Sequence, residues 1–355
     1  MKQRIYKYDN VKALLIFLVV VGHLTTDYVS DYGTIRWITL WIYSFHMPAF
    51  IFISGLMHKR YVTEEQAALG IKGNTKIRWD KVIGFLLCAY GLKFFLQIFR
   101  TAIGQHPNFY WIQEPGIPWY LFVMAEYEIV LYLIRKIDWR AMLIATFALS
   151  AVIGYFPAVG DTLCLSRMIN FLPIFLLGYY IDTAKLTAFS EKTSAKIISW
   201  LGIAASVIYC CLAPWGRYSW RKWCTGRRSY EFLSQYFGDI TATAWAIRLA
   251  VWAVALLITF AVIIVMPNKD MKFFSVIGAN TLNIYFWHRP ICYWINGLGL
   301  FPAMASAFGE NLAVVLFILL GAAMTALFGL NIFRHPAKDL TMLGGKIAKL
   351  GKKTA

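Results

Sequence analysis

Residues 10–28 read NVKALLIFLVVVGHLTTDY and decide the fold class of this chain. Only Lys12 interrupts the apolar run before Gly22, and a helix needs about 20 mostly apolar residues to cross the hydrocarbon of a bilayer. Three basic residues precede the run, as they do in a signal peptide. No small-x-small cleavage site follows at a suitable distance, however, and a second apolar stretch comes soon after. The run is therefore interpreted as a retained first transmembrane helix.

The rest of the chain has the same character. Of its 355 residues, 59% are hydrophobic and 15% are charged, whereas soluble domains carry about 25% charged residues. This length holds about ten spans joined by short loops and no sizeable soluble domain. The predicted spans are 10–28, 36–57, 82–103, 118–134, 140–157, 166–182, 196–213, 243–266, 274–296 and 310–333. We therefore expect an all-α, polytopic membrane helix bundle that forms one domain over residues 1–355, with a basic tail at about 336–355.

The distribution of basic residues predicts the orientation of the bundle. The net charge is +17, and the cytoplasmic loops of membrane proteins are enriched in Lys and Arg. Both termini and the 58–81 loop are basic, whereas loops 29–35, 104–117 and 158–165 hold no Lys or Arg. Both termini are therefore predicted to be cytoplasmic. The same distribution argues against nucleic-acid binding, because the basic residues are divided among short loops and form no single patch.

The 214–240 loop does not follow this rule. Counting spans places it outside, yet its basic residues are Arg217, Arg221, Lys222, Arg227 and Arg228. One interpretation is an interfacial segment whose tryptophans and arginines lie at the level of the lipid headgroups. A second is an outer platform that attracts an anionic acceptor or lipid. A third is an error in the number of spans.

Ionisable side chains within the predicted spans indicate where chemistry takes place. Each costs roughly 3 kcal/mol at the centre of a bilayer, so such residues usually line a cavity or a pathway. Lys12 and His23 share one face of the first predicted helix at a distance of about 16 Å. With Asp9 at the entrance, this spacing predicts a site with Lys12 toward a cytoplasmic anion and His23 toward the outer half of the membrane. The alternative for His23 is a packing histidine bonded to a neighbouring carbonyl.

Two further segments carry candidate site residues. Pro48 in the second predicted span frees a backbone carbonyl and kinks the helix beside His46. His46 is catalytic, helps to position His23, or has a structural role alone. Arg78 and Lys81 lie one helical turn apart before the third span. They present paired positive charge either to a phosphorylated donor or simply to the anionic membrane face.

Five segments taken together resemble the acyltransferase-3 family, and in particular its fucose 4-O-acetylase-like branch. They run in the order in which the family carries them, from the first predicted span to the ninth. They are YDNVK with VGH at residues 8–12 and 21–23, FHMP with SG at 45–48 and 54–55, PWYL at 118–121, Arg167 with FLPIFLLGY at 171–179, and GANTLNIY with His288 and Pro290 at 278–290.

This resemblance implies a membrane-bound O-acyltransferase that takes an acyl group, by default acetyl, from acyl-CoA on the cytoplasmic side. The acceptor is then a hydroxyl of a glycan, a glycolipid or another small molecule. His23 matches the family histidine that acts as general base, and Lys12 stands where many relatives carry arginine. Arg78 and Lys81 match a donor-side Arg-x-x-Arg pair, although Lys81 lacks the bidentate geometry of arginine. Acyl-CoA is a co-substrate, and no permanently bound cofactor or metal is expected.

The remaining buried charges are assigned around this chemistry. Glu126 is the candidate to orient His23 and stabilise its imidazolium; a structural bond to Arg167 is the alternative. Arg167, His288 and Arg289 are expected, together with Asp9, to line the cavity.

Two other classes of protein remain open. A transporter or flippase also needs buried charges, although the chain shows no repeated halves of the kind common in transporters. A ligand-binding membrane subunit with the same fold is the other class. The expected location is the bacterial cytoplasmic membrane, where lipids surround the bundle.

Overall fold

The computed structural model describes residues 5–58, 76–213 and 219–351. These residues are predominantly α-helical, and among them β-structure is limited to one isolated bridge between Gln113 and Thr162. The α-helices of the described residues begin with α1 Tyr6–Thr25, α2 Gly33–His58, α3 Trp79–Ala102, α4 Trp119–Leu133, α5 Trp139–Val152, α6 Leu165–Tyr180, α7 Thr183–Ser190 and α8 Thr193–Cys211. They continue with α9 Arg221–Cys224, α10 Tyr230–Phe237, α11 Ala244–Val265, α12 Phe273–Ala279, α13 Thr281–Gly297, α14 Leu300–Phe308, α15 Glu310–Phe328 and α16 Ala337–Gly351. The predicted all-α class is confirmed.

Within the described residues, six helices are long and apolar enough to cross a membrane. They are α1, α2, α3, α8, α11 and α15, and the bent pair α13–α14 makes a seventh if it is one span. The predicted spans at 118–134, 140–157 and 166–182 form helices of 15, 14 and 16 residues, which are shorter than the roughly 20 residues of a typical span. The number of about ten and the orientation of the termini stay predictions.

The predicted span 274–296 is wrong as a single helix. It is divided into α12 and α13 at Asn280, whose side-chain amide donates a hydrogen bond to the carbonyl of Gly329 at 2.8 Å. The backbone of Asn280 departs from helical geometry, with φ −107° and ψ 22°, and its side chain is bonded outside both helices, so the chain is not one continuous helix at this point. Parts of other predictions lie outside the described residues, namely residues 59–75 of the 58–81 loop, Arg217 and the last four residues of the tail.

The chain forms two compact units. The first contains residues 1–50, 182–224 and 251–334. In it α1 packs closely on α12, because a Cβ atom at Gly278 would lie only 1.9 Å from the carbonyl oxygen of Asp9. Lys7 is fully buried, and its ammonium donates to the carbonyl of Met266 at 2.5 Å, so it satisfies a backbone acceptor at the end of α11.

The second unit contains residues 51–181, 225–250 and 335–355. Its part of α2 meets α6 through two glycines. A Cβ atom at Gly55 would lie 2.0 Å from the carbonyl oxygen of Phe175, and one at Gly178 would lie 2.0 Å from that of Phe52. Small residues at such positions let two membrane helices approach closely. In the same unit the basic tail forms α16, which packs along α3.

Candidate active site

His23 lies near the end of α1 and packs on His288 of α13 in the first unit. The centroids of the two imidazole rings are 5.4 Å apart, and the rings are inclined by 34°. The guanidinium of Arg289 donates to the backbone carbonyl of His23 at 3.1 Å and lies over the ring of Tyr293 at 4.1 Å. The segments that sequence reasoning places at the first and ninth spans therefore meet at these two histidines.

Backbone contacts decide which nitrogen carries the hydrogen on two of the histidines. Nδ1 of His288 lies 2.9 Å from the carbonyl oxygen of Ile284, and Nδ1 of His46 lies 2.7 Å from that of Ile42. A carbonyl can only accept a hydrogen bond, so each ring bears a hydrogen on Nδ1. In the neutral ring Nε2 is then left with a lone pair. Nε2 of His288 is buried and has no hydrogen-bond partner among the described residues, and the same is true of Nδ1 of His23.

His46 is buried on α2 beside Tyr43, with ring centroids 4.9 Å apart. The guanidinium of Arg221 lies over the ring of Tyr43, 5.0 Å from its centroid. The hydroxyl of Tyr43 also bonds that of Thr26 at 3.0 Å, three residues beyond His23. One arginine of the basic 214–240 loop thus packs on an aromatic residue that borders the histidines.

Lys12 and Asp9 lie at the opposite end of α1. The helix is continuous from Tyr6 to Thr25, so Lys12 and His23 are three turns apart on it, as predicted from their spacing. The ammonium of Lys12 forms an ion pair with Asp9 at 2.9 Å, and both side chains are partly exposed. An anionic donor at Lys12 must therefore compete with this carboxylate.

Arg78 and Lys81 belong to the second unit, at the start of α3. Arg78 is the residue that precedes the helix, and its guanidinium lies 3.6 Å from the carboxylate of Asp80. Lys81 lies in the first turn, and both basic side chains are partly exposed. The first backbone N–H groups of a helix also favour anions, so this place combines three sources of positive potential with one acidic side chain.

Glu126 and Arg167 also lie in the second unit. A structural bond between them was the alternative role for Glu126, and the described residues show no such bond. Arg167 pairs instead with Asp161 at 3.3 Å and lies over the ring of Trp119 at 5.1 Å. Arg227 holds the same carboxylate, with Nε 2.7 Å from Oδ1. One carboxylate oxygen of Glu126 is buried without a hydrogen-bond partner in the described chain. Since His23 belongs to the other unit, its pairing with Glu126 stays a prediction.

Sequence reasoning assigned no role to His58, a partly buried residue that pairs with the buried Glu128. Nε2 of His58 lies 3.0 Å from the carboxylate of Glu128, and Nδ1 lies 2.7 Å from the carbonyl of Ser54. Both ring nitrogens of His58 therefore lie within hydrogen-bonding distance of an oxygen atom. The only signal in the sequence is a histidine at the end of the second apolar run together with a glutamate inside the fourth.

The first unit therefore offers a histidine on a spanning helix, a second histidine packed on it and a cation at the far end of the same helix. Such an arrangement can move a proton at a reacting hydroxyl and hold an anion some distance away. Residues 5–330 match the family model described as an acyltransferase domain. The chain belongs to this acyltransferase family, and it is an integral membrane protein. No curated protein and no solved structure matches it.

Proposed function

We propose that this acyltransferase is an O-acyltransferase that moves an acetyl group from acetyl-CoA to a hydroxyl of a glycan, a lipid-linked sugar or another small acceptor. The observation that carries the proposal is the place of His23, which lies on a spanning helix and packs on His288. A histidine suits proton abstraction at neutral pH. The resemblance to the fucose 4-O-acetylase-like branch supports a sugar as the acceptor.

The proposed reaction uses His23 as the general base. The hydroxyl proton moves to His23 as the hydroxyl oxygen attacks the thioester carbon. The new C–O bond replaces the C–S bond, and the proton then passes from His23 to the departing thiolate, which leaves as free thiol. Glu126 is proposed to stabilise the imidazolium, and His46 is proposed to assist His23. Arg167, His288 and Arg289 are proposed to line the cavity with Asp9.

The donor is proposed to bind from the cytoplasm, with its phosphates at Arg78 and Lys81 and with Lys12 as a further cation. This arrangement follows if the chain crosses the bacterial cytoplasmic membrane with about ten spans, including the shorter helices, and with both termini inside. The whole chain is proposed to act as one catalytic domain. No part of the proposed reaction requires a resident cofactor.

The test is release of free thiol from acetyl-CoA by the purified protein in detergent. We expect release by the wild type and a loss of at least about 100-fold in His23→Ala, the range that general-base catalysis contributes. His106→Ala is the matched control, because His106 is exposed in a loop, and it should retain full activity.

Full activity of His23→Ala would exclude the base assignment. If no protein releases thiol and calorimetry detects no binding of acetyl-CoA, the O-acyltransferase proposal fails. A transporter, flippase or ligand-binding subunit then becomes the better account.

A further inference from the structure

The structure contains two buried ring nitrogens without partners on neighbouring histidines. Nδ1 of His23 and Nε2 of His288 each lack a hydrogen-bond partner within residues 5–58, 76–213 and 219–351. Leaving such a buried atom without a hydrogen bond is unfavourable. The rings that carry them are 5.4 Å apart and lie in the same unit.

The chemistry of the two nitrogens is complementary. The hydrogen of His288 is on Nδ1, where it bonds the carbonyl of Ile284 at 2.9 Å, so its Nε2 acts only as an acceptor. His288 is completely buried, so this acceptor faces the interior of the unit. Nδ1 of His23 can supply the missing hydrogen bond to Nε2 of His288, directly or through a water molecule, if this Nδ1 bears a hydrogen.

We propose that His288 is a positioning residue for His23, which it holds through one bridging water molecule between His23 Nδ1 and His288 Nε2. The Nδ1–H of His23 donates to the water, and the water donates to His288. His23 is thereby kept in the form that leaves Nε2 free to act as base. The inference rests on the proposed function. It assigns the orientation of His23 to a second imidazole, where a carboxylate usually orients a catalytic histidine, and it leaves Glu126 only the proposed stabilisation of the imidazolium charge.

Two contacts hold the pair in place. The bond between Nδ1 of His288 and the carbonyl of Ile284 orients one ring. The bond from the guanidinium of Arg289 to the carbonyl of His23 joins the backbone of α1 to α13 directly beside it. Neither contact uses the two nitrogens that the bridge requires, so both remain available for the water.

Two substitutions of His288 separate the proposed role from simple packing. His288→Gln keeps an acceptor near the position of Nε2, whereas His288→Asn keeps a donor near the position of Nδ1 and loses the distant acceptor. We expect thiol release from acetyl-CoA to fall about 100-fold in His288→Asn and less than about tenfold in His288→Gln. The loss should appear in kcat more than in the KM for acetyl-CoA, because His288 is proposed to act through the base. Equal or higher activity of the Asn variant would overturn the proposal.

Nitrogen NMR provides a second readout that does not depend on activity. The chain has 6 histidines, so selective ¹⁵N-histidine labelling in liposomes gives few signals, and those missing from His23→Ala identify His23. We expect Nδ1 of His23 to be protonated in the wild type and in His288→Gln. In His288→Asn, the population of the tautomer that is protonated on Nε2 should increase.

A wild-type His23 protonated on Nε2 alone would overturn the proposal even if a variant fails to fold. If the wild type releases no thiol, the proposed function fails, while the NMR result still decides whether His288 positions His23.

Discussion

The close contact between α2 and α6 allows a sharp test of the packing of the second unit. The perturbation is Gly178→Ala, which adds a Cβ atom 2.0 Å from the carbonyl oxygen of Phe52. Ordinary contact begins at 3.4 Å, so the two backbones must separate locally by about 1.4 Å. The atoms nearest to the added Cβ belong to the backbone of Phe52 and Leu56, so the rotation of a side chain cannot relieve the contact. The same argument holds at Gly55, which faces the carbonyl of Phe175.

The size of the effect follows from the cost of overpacking. Inserting one methyl group into a packed interior costs about 1–3 kcal/mol and occasionally more, and two backbones in direct contact place this site at the upper end. We expect Gly178→Ala to lower the free energy of unfolding by about 3 kcal/mol. The matched control is Gly202→Ala in α8, where no heavy atom lies within 4 Å. Replacing a helical glycine there should stabilise the helix by up to about 1 kcal/mol.

The measurement is the fraction of monodisperse protein after heating in detergent, followed by size-exclusion chromatography. The midpoint for Gly178→Ala should lie roughly 5 °C or more below that of the wild type, while the midpoint for Gly202→Ala should stay level or rise. Equal midpoints for the two variants would refute the contact between the helices.

Three further predictions concern charged groups. Glu128→Leu leaves the partly buried His58 without its carboxylate and should lower the free energy of unfolding by about 1–3 kcal/mol. Glu128→Gln can still donate to Nε2 of His58 and should cost less than about half of that. Thermal midpoints in detergent compare the two variants, and equal losses would contradict the pairing. Asp161→Ala leaves Arg167 and Arg227 without their shared carboxylate and should make the segments around these three residues more sensitive to limited proteolysis. Asp239→Ala, which removes an exposed carboxylate, is the control, and equal sensitivity of the two variants would contradict a structural role for Asp161. Asp9→Asn removes the ion-pair partner of Lys12 and should lower the KM for acetyl-CoA a few-fold, whereas Lys12→Ala should raise this KM. If the two variants shift the KM equally, or each in the opposite direction, Lys12 does not belong to the donor site.

The structure also locates part of the basic 214–240 loop. Arg227 pairs with Asp161, and Arg221 lies over the ring of Tyr43. Both arginines thus have partners within their own units, which ordinary flanking charges do not require. An anionic acceptor attracted to this loop stays a prediction, and Arg217 lies outside the described residues.

Local patterns in the sequence were sufficient for the fold class and for the first helix. The apolar run at residues 10–28 predicts a spanning helix, and α1 covers Tyr6–Thr25. The relation between Lys12 and His23 follows from helical periodicity alone, so it needed no knowledge of other segments. The family was also predictable, because its five short motifs are contiguous stretches of chain.

Contacts between distant segments were decided only by the tertiary structure. His58 and Glu128 are 70 positions apart, and nothing in either stretch specifies the other. The same holds for Asp161, which forms ion pairs with Arg167 and Arg227. The sequence had offered Glu126 as a possible partner of Arg167. Hydropathy reports only that a segment prefers the interior of a membrane. Which buried polar groups meet there depends on how the helices pack and on which donors and acceptors that packing brings within hydrogen-bonding distance.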